Sequence, residues 1–90
     1  MFEWDESKNA INTKKHGISF KEATKIWRDE KRLTLPTRFE DEPRQIVIGK
    51  ISGTIWSAII TYRGSNIRII SVRKSRNKER ELYEKDENKA

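Results

Sequence analysis

The sequence predicts an α+β fold in which helices pack on an antiparallel sheet of three or four strands. Three segments rich in β-branched residues lie in the second half of the chain, at residues 44–52, 54–62 and 66–74. Two segments with the residue pattern of helices precede them, and one follows. Because the strands are grouped rather than alternating with helices, the α+β class is favoured over a parallel α/β sheet.

The first helix is predicted over about residues 6–15, after a short extended segment at residues 2–4. Asp5 is placed to accept hydrogen bonds from the free N–H groups at the helix start. Gly17 can adopt the left-handed backbone conformation in which many helices end. The helix has few apolar residues, so its basic side chains are expected to face solvent.

The second helix is predicted over about residues 20–29. Ser19 and Glu22 have the spacing of a capping box, in which each side chain satisfies a backbone N–H group of the other residue. The larger apolar side chains of this helix lie on one face, which is therefore expected to pack in the core: Phe20, Ala23, Ile26 and Trp27.

The order of the strands is predicted from the turns between them. Residues 33–35 have the alternating pattern of a short strand, which Pro36 would confine to a sheet edge or end. Residues 37–43 are expected to form a surface loop. Turn residues at 52–53 and 63–65 separate the three longer strands, so these strands should pair as an antiparallel meander.

A C-terminal helix completes the predicted domain, which takes in residues 1–90 as a single unit. Ser75 is the predicted N-cap of this helix. The helix is expected to run to about residue 86, and the residues after it are expected to fray.

The composition limits the chemistry that the chain can perform. The formal net charge of +6 fits either a polyanionic partner such as RNA or a basic surface with no such partner. There is no cysteine and one histidine, so no disulfide framework, thiol nucleophile, metal cluster or other cofactor is predicted. The N-terminus lacks a signal-peptide pattern and no apolar run reaches membrane-spanning length, so a cytoplasmic protein without membrane contact is expected.

The first candidate site lies at the end of the first helix, where Lys14, Lys15 and His16 precede Gly17. Histidine is the side-chain type whose unperturbed pKa lies near neutrality, which suits proton transfer. The neighbouring lysines would attract a phosphate group. The alternative is purely structural, because cations at a helix C-terminus complement the helix dipole.

The second candidate site spans the end of the last strand and the helix after it. Its five cations are Arg68, Arg73, Lys74, Arg76 and Arg80. Glu79 and Tyr83 have i,i+4 spacing and therefore share a neighbouring stripe of the helix. A carboxylate for proton transfer, guanidinium groups for a pentacovalent phosphate and a phenol for stacking or proton donation would converge here. The alternative is a charged, solvated helix face.

Blocks of residues spread over nearly the whole chain follow the pattern of one known family. They are Phe2-Glu3-Trp4-Asp5, Lys15-His16-Gly17-Ile18-Ser19-Phe20, and Ile67-Arg68-Ile69-Ile70-Ser71-Val72-Arg73-Lys74 with Glu79-Arg80 and Tyr83. These blocks resemble the BrnT family, the ribonuclease toxins of bacterial type II toxin–antitoxin pairs. The resemblance implies a RelE-like fold, in which two N-terminal helices pack on an antiparallel sheet that a C-terminal helix follows.

The resemblance also implies a function and partners. It implies inhibition of translation through RNA cleavage, and neutralisation by a BrnA-like antitoxin encoded beside the toxin. It further implies that the two proteins together bind operator DNA, with the DNA contacts coming from the antitoxin.

We therefore expect a metal-independent endoribonuclease, in which the 2′-hydroxyl of the RNA attacks the adjacent phosphate. His16 or Glu79 is expected to act as base or acid. Arg73 and Arg80 are expected to stabilise the phosphorane, with Lys15 as a supporting cation. The residues expected to hold the RNA are Lys14, Arg68, Lys74, Arg76 and Tyr83. The alternative function is a non-catalytic nucleic-acid-binding or regulatory module, although no helix-turn-helix spacing supports it.

Overall fold

The computed structural model describes residues 1–37 and 43–87. Its elements, in chain order, are β1 (Phe2–Trp4), α1 (Glu6–His16), α2 (Phe20–Ala23), a 3-10 helix (Thr24–Arg28), β2 (Leu33–Pro36), β3 (Gln45–Ile51), β4 (Thr54–Arg63), β5 (Asn66–Lys74) and α3 (Asn77–Glu87). The α+β class is confirmed. Of the predicted surface loop at residues 37–43, residues 38–42 lie outside the described part of the chain.

The sheet has five strands in the order β1-β5-β4-β3-β2, and it is mixed rather than purely antiparallel. Strands β3 to β5 form the predicted antiparallel meander, and β2 pairs antiparallel with β3 at one edge of the sheet. The fifth strand is the extended N-terminus, whose Phe2 and Trp4 pair with Ile67 and Ile69 in a parallel ladder. The prediction of three or four strands missed β1 because no turn links it to β5.

The local signals for α1 are confirmed. The Asp5 side chain accepts hydrogen bonds from the backbone N–H groups of Ser7 and Lys8, at 2.8 and 3.4 Å. Gly17 ends the helix with φ 73°. A buried Asn12 then fixes α1 to the sheet, because its side-chain oxygen accepts from the backbone N–H of Val72 at 3.1 Å.

The other two helices begin or end differently from the prediction. The side-chain hydroxyl of Ser19 does cap α2, but the segment tightens into a 3-10 helix from Thr24 onward. Thr24 and Ile26 are β-branched, and such residues disfavour the α conformation. The last helix begins at Asn77, and the Ser75 hydroxyl bonds another side chain instead of capping it.

The two faces of the sheet are covered unequally. One face packs on α1, α2 and the 3-10 helix around Phe20, Ile26, Val47 and Ile60, which are at most 1 % exposed. On the other face, α3 covers mainly the β3 side through Tyr83 and its apolar neighbours, Ile48 and Ile55. The part of that face next to β5 is left open and forms the candidate site.

Gly49 lies where the 3-10 helix approaches the sheet closely. A Cβ atom at this position would lie 2.8 Å from Ile26 Cγ2 and 3.2 Å from the Ile26 carbonyl oxygen. We expect Gly49→Ala to lower the free energy of unfolding by about 1–3 kcal/mol, because the helix must shift to make room. Urea denaturation measures this. An unchanged midpoint would show that the helix moves at negligible cost.

None of the helices within residues 1–37 and 43–87 has the length and apolar character needed to cross a bilayer.

Candidate functional site

The open part of the sheet carries a depression of about 310 Å³, called the sheet depression below. The strand register places Ile46, Ile59 and Ser71 side by side across β3, β4 and β5. Arg73 follows two residues after Ser71 and so lies on the same face. The lining residues are Thr37, Arg44, Ile46, Ile59, Ser71, Arg73 and Arg76.

Arg73 and Glu79 form a bidentate ion pair at one end of this depression. The Nη1 atom of Arg73 donates to Glu79 Oε1 at 2.6 Å, and its Nη2 atom donates to Oε2 at 2.9 Å. Their side chains are 19 % and 13 % exposed. A guanidinium has five N–H groups, so the pair fixes the plane of Arg73 while leaving other donors of that group outside the pair.

One serine hydroxyl and one backbone N–H group also donate to the Glu79 carboxylate, and a second serine supports the first. The Ser57 hydroxyl donates to Oε1 at 3.0 Å, and the backbone N–H of Arg76 donates to the same oxygen at 2.9 Å. Ser57 and Ser75 are buried, with their hydroxyl oxygens 2.7 Å apart. Because the single O–H group of Ser57 serves Glu79, we assign Ser75 as the donor to Ser57.

This set of donors keeps Glu79 ionised. The hydrogen bond from Arg73 is the main cause that lowers the pKa of Glu79 to about 2, and the Arg76 and Ser57 hydrogen bonds act in the same direction against the effect of burial. The hydrogen bond with Glu79 likewise raises the pKa of Arg73. At neutral pH this carboxylate has no proton to donate and is a weak base.

Two of the three residues predicted at the end of α1, Lys15 and His16, line a neighbouring groove of about 220 Å³, called the α1 groove. Its walls are Lys8, Ile11, Asn12, Lys15, His16, Ile70 and Ser71. The register of β4 and β5 shifts between Ile59 and Ile60, so Ile70 is an extra residue on β5. Such a bulge bends a strand and redirects its side chains.

Ser71 lines both the α1 groove and the sheet depression. Lys15 and His16 thus line one side of Ser71, and Arg73 and Arg76 line the other.

Arg80 and Lys74 lie elsewhere. They line a larger depression of about 610 Å³ together with Asn77, Glu81 and Glu84. The Nη2 atom of Arg80 donates to Asn77 Oδ1. Arg80 and Arg73 therefore line different depressions. Glu79 faces β5, where it bonds Arg73, and Arg80, the next residue in the helix, points in another direction.

The remaining predicted RNA contacts have varied surroundings. Tyr83 is 1 % exposed and donates its hydroxyl to Asp29 Oδ2 at 2.5 Å, so its ring has no open face for stacking on a base. Arg68 lies on the open sheet face and donates to Glu3 Oε2 at 2.7 Å. Lys14 is exposed on α1.

Sequence reasoning missed Ser57, Ser71 and Asn12. Each is a small polar residue within a predicted strand or helix, where its type alone gives no functional signal. Ser57 stands opposite Arg73 in the β4–β5 ladder, so its role follows from the register rather than from its neighbours in the chain. No group of three or more His, Asp or Glu residues suited to a metal ion occurs within residues 1–37 and 43–87.

The chain matches a known family. Residues 4–79 match the family described as "Ribonuclease toxin, BrnT, of type II toxin-antitoxin system". The match includes Lys15, His16, Arg73 and Glu79, whereas Arg80 and Tyr83 fall beyond its end. No individual protein with a curated description matches the chain.

Proposed function

We infer that this chain, which belongs to the BrnT family of ribonuclease toxins of type II toxin–antitoxin systems, cleaves RNA without a metal ion at the junction of the sheet depression and the α1 groove. The observation that carries this proposal is Ser71, which lines both the groove that His16 lines and the depression that Arg73 lines. A scissile phosphate seated at Ser71 would meet cations from both sides.

The proposed reaction needs few groups from the protein. The 2′-hydroxyl attacks the adjacent phosphorus, a P–O bond to the 5′-oxygen breaks, and a 2′,3′-cyclic phosphate and a 5′-hydroxyl end result. His16 serves as the acid–base group, because a histidine can both accept and donate a proton near neutral pH. Arg73 and Arg76, with Lys15, stabilise the extra negative charge on the phosphorane.

Glu79 is proposed as the positioning residue for Arg73. A bidentate carboxylate fixes both the location and the plane of a guanidinium, which makes it a better receptor for phosphate oxygens. The lowered pKa of about 2 supports this role over proton transfer. Ser57 and Ser75 extend the support into the core.

RNA on either side of the scissile phosphate is proposed to contact the outlying cations. Arg68 lies further along the open sheet face, on which it is the cross-strand neighbour of Thr61. Lys74 and Arg80 border the depression beside α3, and Lys14 stands near the α1 groove. Tyr83 is buried, so we do not propose the predicted stacking role for it and assign it to the core instead.

The partners follow from the family. A type II toxin implies an antitoxin protein and an RNA substrate, and we propose that the antitoxin is BrnA-like and that operator DNA is bound only through the complex. We also propose that residues 1–90 form one RelE-like toxin domain that inhibits translation in the cytoplasm. Helices on one face of the sheet and a C-terminal helix on the other support the RelE-like assignment.

Cleavage of end-labelled RNA in EDTA tests this function. We expect fragments with 5′-hydroxyl and 2′,3′-cyclic phosphate ends at a rate that EDTA does not change, and no cleavage where the scissile nucleotide is 2′-deoxy. A strict requirement for magnesium would contradict the chemistry. A gel shift of intact RNA with no fragments would favour the non-catalytic nucleic-acid-binding module instead.

A further inference from the structure

A second charged surface lies beside the β3–β4 turn, away from the residues assigned to cleavage. It is a depression of about 340 Å³, called the basic depression below. The lining residues are Lys25, Arg28, Asp29, Lys31, Lys50, Ser52, Gly53 and Tyr83. Four cations thus surround one carboxylate, which leaves an excess of three positive charges (4 − 1).

Asp29 acts as an internal anchor of this surface. Its side chain accepts hydrogen bonds from the Tyr83 hydroxyl at 2.5 Å, from the backbone N–H of Lys50 at 2.8 Å and from the backbone N–H of Lys31 at 2.9 Å. These bonds join the end of the 3-10 helix to β3 and α3. The backbone that carries the cations is therefore held in place before any ligand arrives.

The cations themselves remain exposed to solvent. Arg28 and Lys31 are exposed, and within the described residues no hydrogen bond or ion pair of their charged groups is present. The Lys25 ammonium lies 2.9 Å from Glu22 Oε1, with both side chains more than 40 % exposed. An ion pair that exposed contributes little and is easily exchanged for another anion.

We propose that the basic depression is a second contact for the phosphate backbone of the RNA chain. The depression that Lys74 and Arg80 line, together with Glu81 and Glu84, shares Gly53 with it, so a strand held at Lys74 and Arg80 would reach the basic depression directly. Along that helix, Glu79 and Tyr83 are separated by four residues, about 6 Å of rise, so the two surfaces lie within a few nucleotides of each other.

The lining chemistry favours RNA over a protein partner. A protein interface needs apolar anchors that fill pockets at its centre, and the only aromatic side chain in the basic depression, Tyr83, is 1 % exposed. Guanidinium and ammonium groups spaced around a shallow basin instead suit phosphate oxygens, whose neutralisation releases counterions.

The test compares two double variants with the same charge change. Arg28→Gln/Lys31→Gln alters the basic depression, and Lys21→Gln/Arg63→Gln removes one arginine and one lysine from exposed positions that do not line it. Affinity for a fluorescent 2′-O-methyl RNA of 16 nucleotides, which 2′-hydroxyl attack cannot cleave, is measured by anisotropy over a range of salt concentrations.

We expect the Arg28/Lys31 variant to bind about tenfold more weakly, with the slope of log affinity against log salt reduced by about 1.4, since each phosphate contact to a single strand contributes roughly 0.7. The Lys21/Arg63 variant should keep the wild-type slope. Equal loss in both variants would mean that net charge alone matters and would overturn the proposal, as would no loss in either.

This inference builds on the proposed ribonuclease function, but the two can fail separately. The binding assay needs no cleavage, so a wild-type protein that binds RNA without cutting it would overturn the ribonuclease proposal and leave the second contact standing. Normal cleavage by the wild-type protein, with an unchanged salt slope in the Arg28/Lys31 variant, would overturn the second contact and leave the ribonuclease proposal standing.

Discussion

Replacing Arg73 by lysine is expected to lower the rate constant of RNA cleavage by about 10²- to 10³-fold, the usual cost of losing a placed donor to a developing negative charge. Lysine keeps the charge but has no planar pair of donors. It therefore cannot bind the Glu79 carboxylate and the scissile phosphate of the RNA in the fixed geometry that a guanidinium allows. Single-turnover cleavage measures the chemical step, and circular dichroism checks that the variant is folded.

Arg80→Lys is the matched comparison, because the same substitution is made within the same strand–helix segment. Arg80 lines a different depression from Arg73, so we expect only a loss of a few-fold, through weaker RNA binding. Equal losses at the two positions would show that a guanidinium is needed as much outside the sheet depression as within it, and would contradict the placing of cleavage beside Ser71.

A double-mutant cycle tests whether His16 and Arg73 act on the same phosphate. His16→Gln alone should also slow cleavage by at least 10²-fold. If the two groups act on one transition state, the double variant should be faster than the product of the two losses predicts. Strictly multiplicative losses would place the residues in separate processes and contradict the shared site.

The parts of the fold that the sequence predicted are those with local causes. Asp5 and Gly17 define the ends of α1 through bonds to their own neighbours, and the turn at residues 52–53 needs only positive φ values, 48° at Ser52 and 87° at Gly53. Strand β1 has no such signal. Its parallel pairing with β5 joins residues more than 60 positions apart, and short segments do not specify a distant partner.

The candidate site also has features that the sequence predicted and features that depend on residues distant in the chain. The cationic residues of the proposed phosphate site were evident from the sequence, whereas the bulge at Ile70, which lines the α1 groove beside Ser71, was not. The helical spacing of Arg76 and Arg80 suggested a common target, but the angle between β5 and α3 decides which side of the helix faces the sheet. Glu79 contributes to that angle through its bonds to Arg73 and to the Arg76 N–H group, and Tyr83 contributes through its bond to Asp29.

Glu79→Gln is expected to lower the free energy of unfolding at pH 7 by about 2 kcal/mol, since it removes the charge from an acceptor of several hydrogen bonds in a mostly buried site. The folded-state pKa of Glu79 is about 2, below the ordinary value of 4.5. A lowered pKa contributes stability that is fully present above pH 4.5 and is lost as the pH falls toward 2. The difference between wild type and variant should therefore shrink over that window.

Urea denaturation at pH 7, 5, 4 and 3 measures this difference. Other carboxylates, such as Glu3, whose pKa is lowered by the hydrogen bond from Arg68, are present in both proteins and cancel in the subtraction. Glu84→Gln, at an exposed position of α3, is the control and should change stability by less than about 0.5 kcal/mol at every pH. A constant difference between wild type and Glu79→Gln across the window would show that the Arg73 pair does not depend on the ionised carboxylate.

Cleavage by the same variant separates the two roles considered for Glu79. If Glu79 is a positioning residue, Glu79→Gln should lower the rate by a similar factor at every pH above about 4.5, where Glu79 is ionised, without altering the shape of the pH–rate profile, because His16 still transfers the proton. A general base or acid would leave its own limb in the profile, and glutamine would abolish that limb. Loss of a limb in Glu79→Gln would therefore assign proton transfer to this carboxylate and remove His16 from that role.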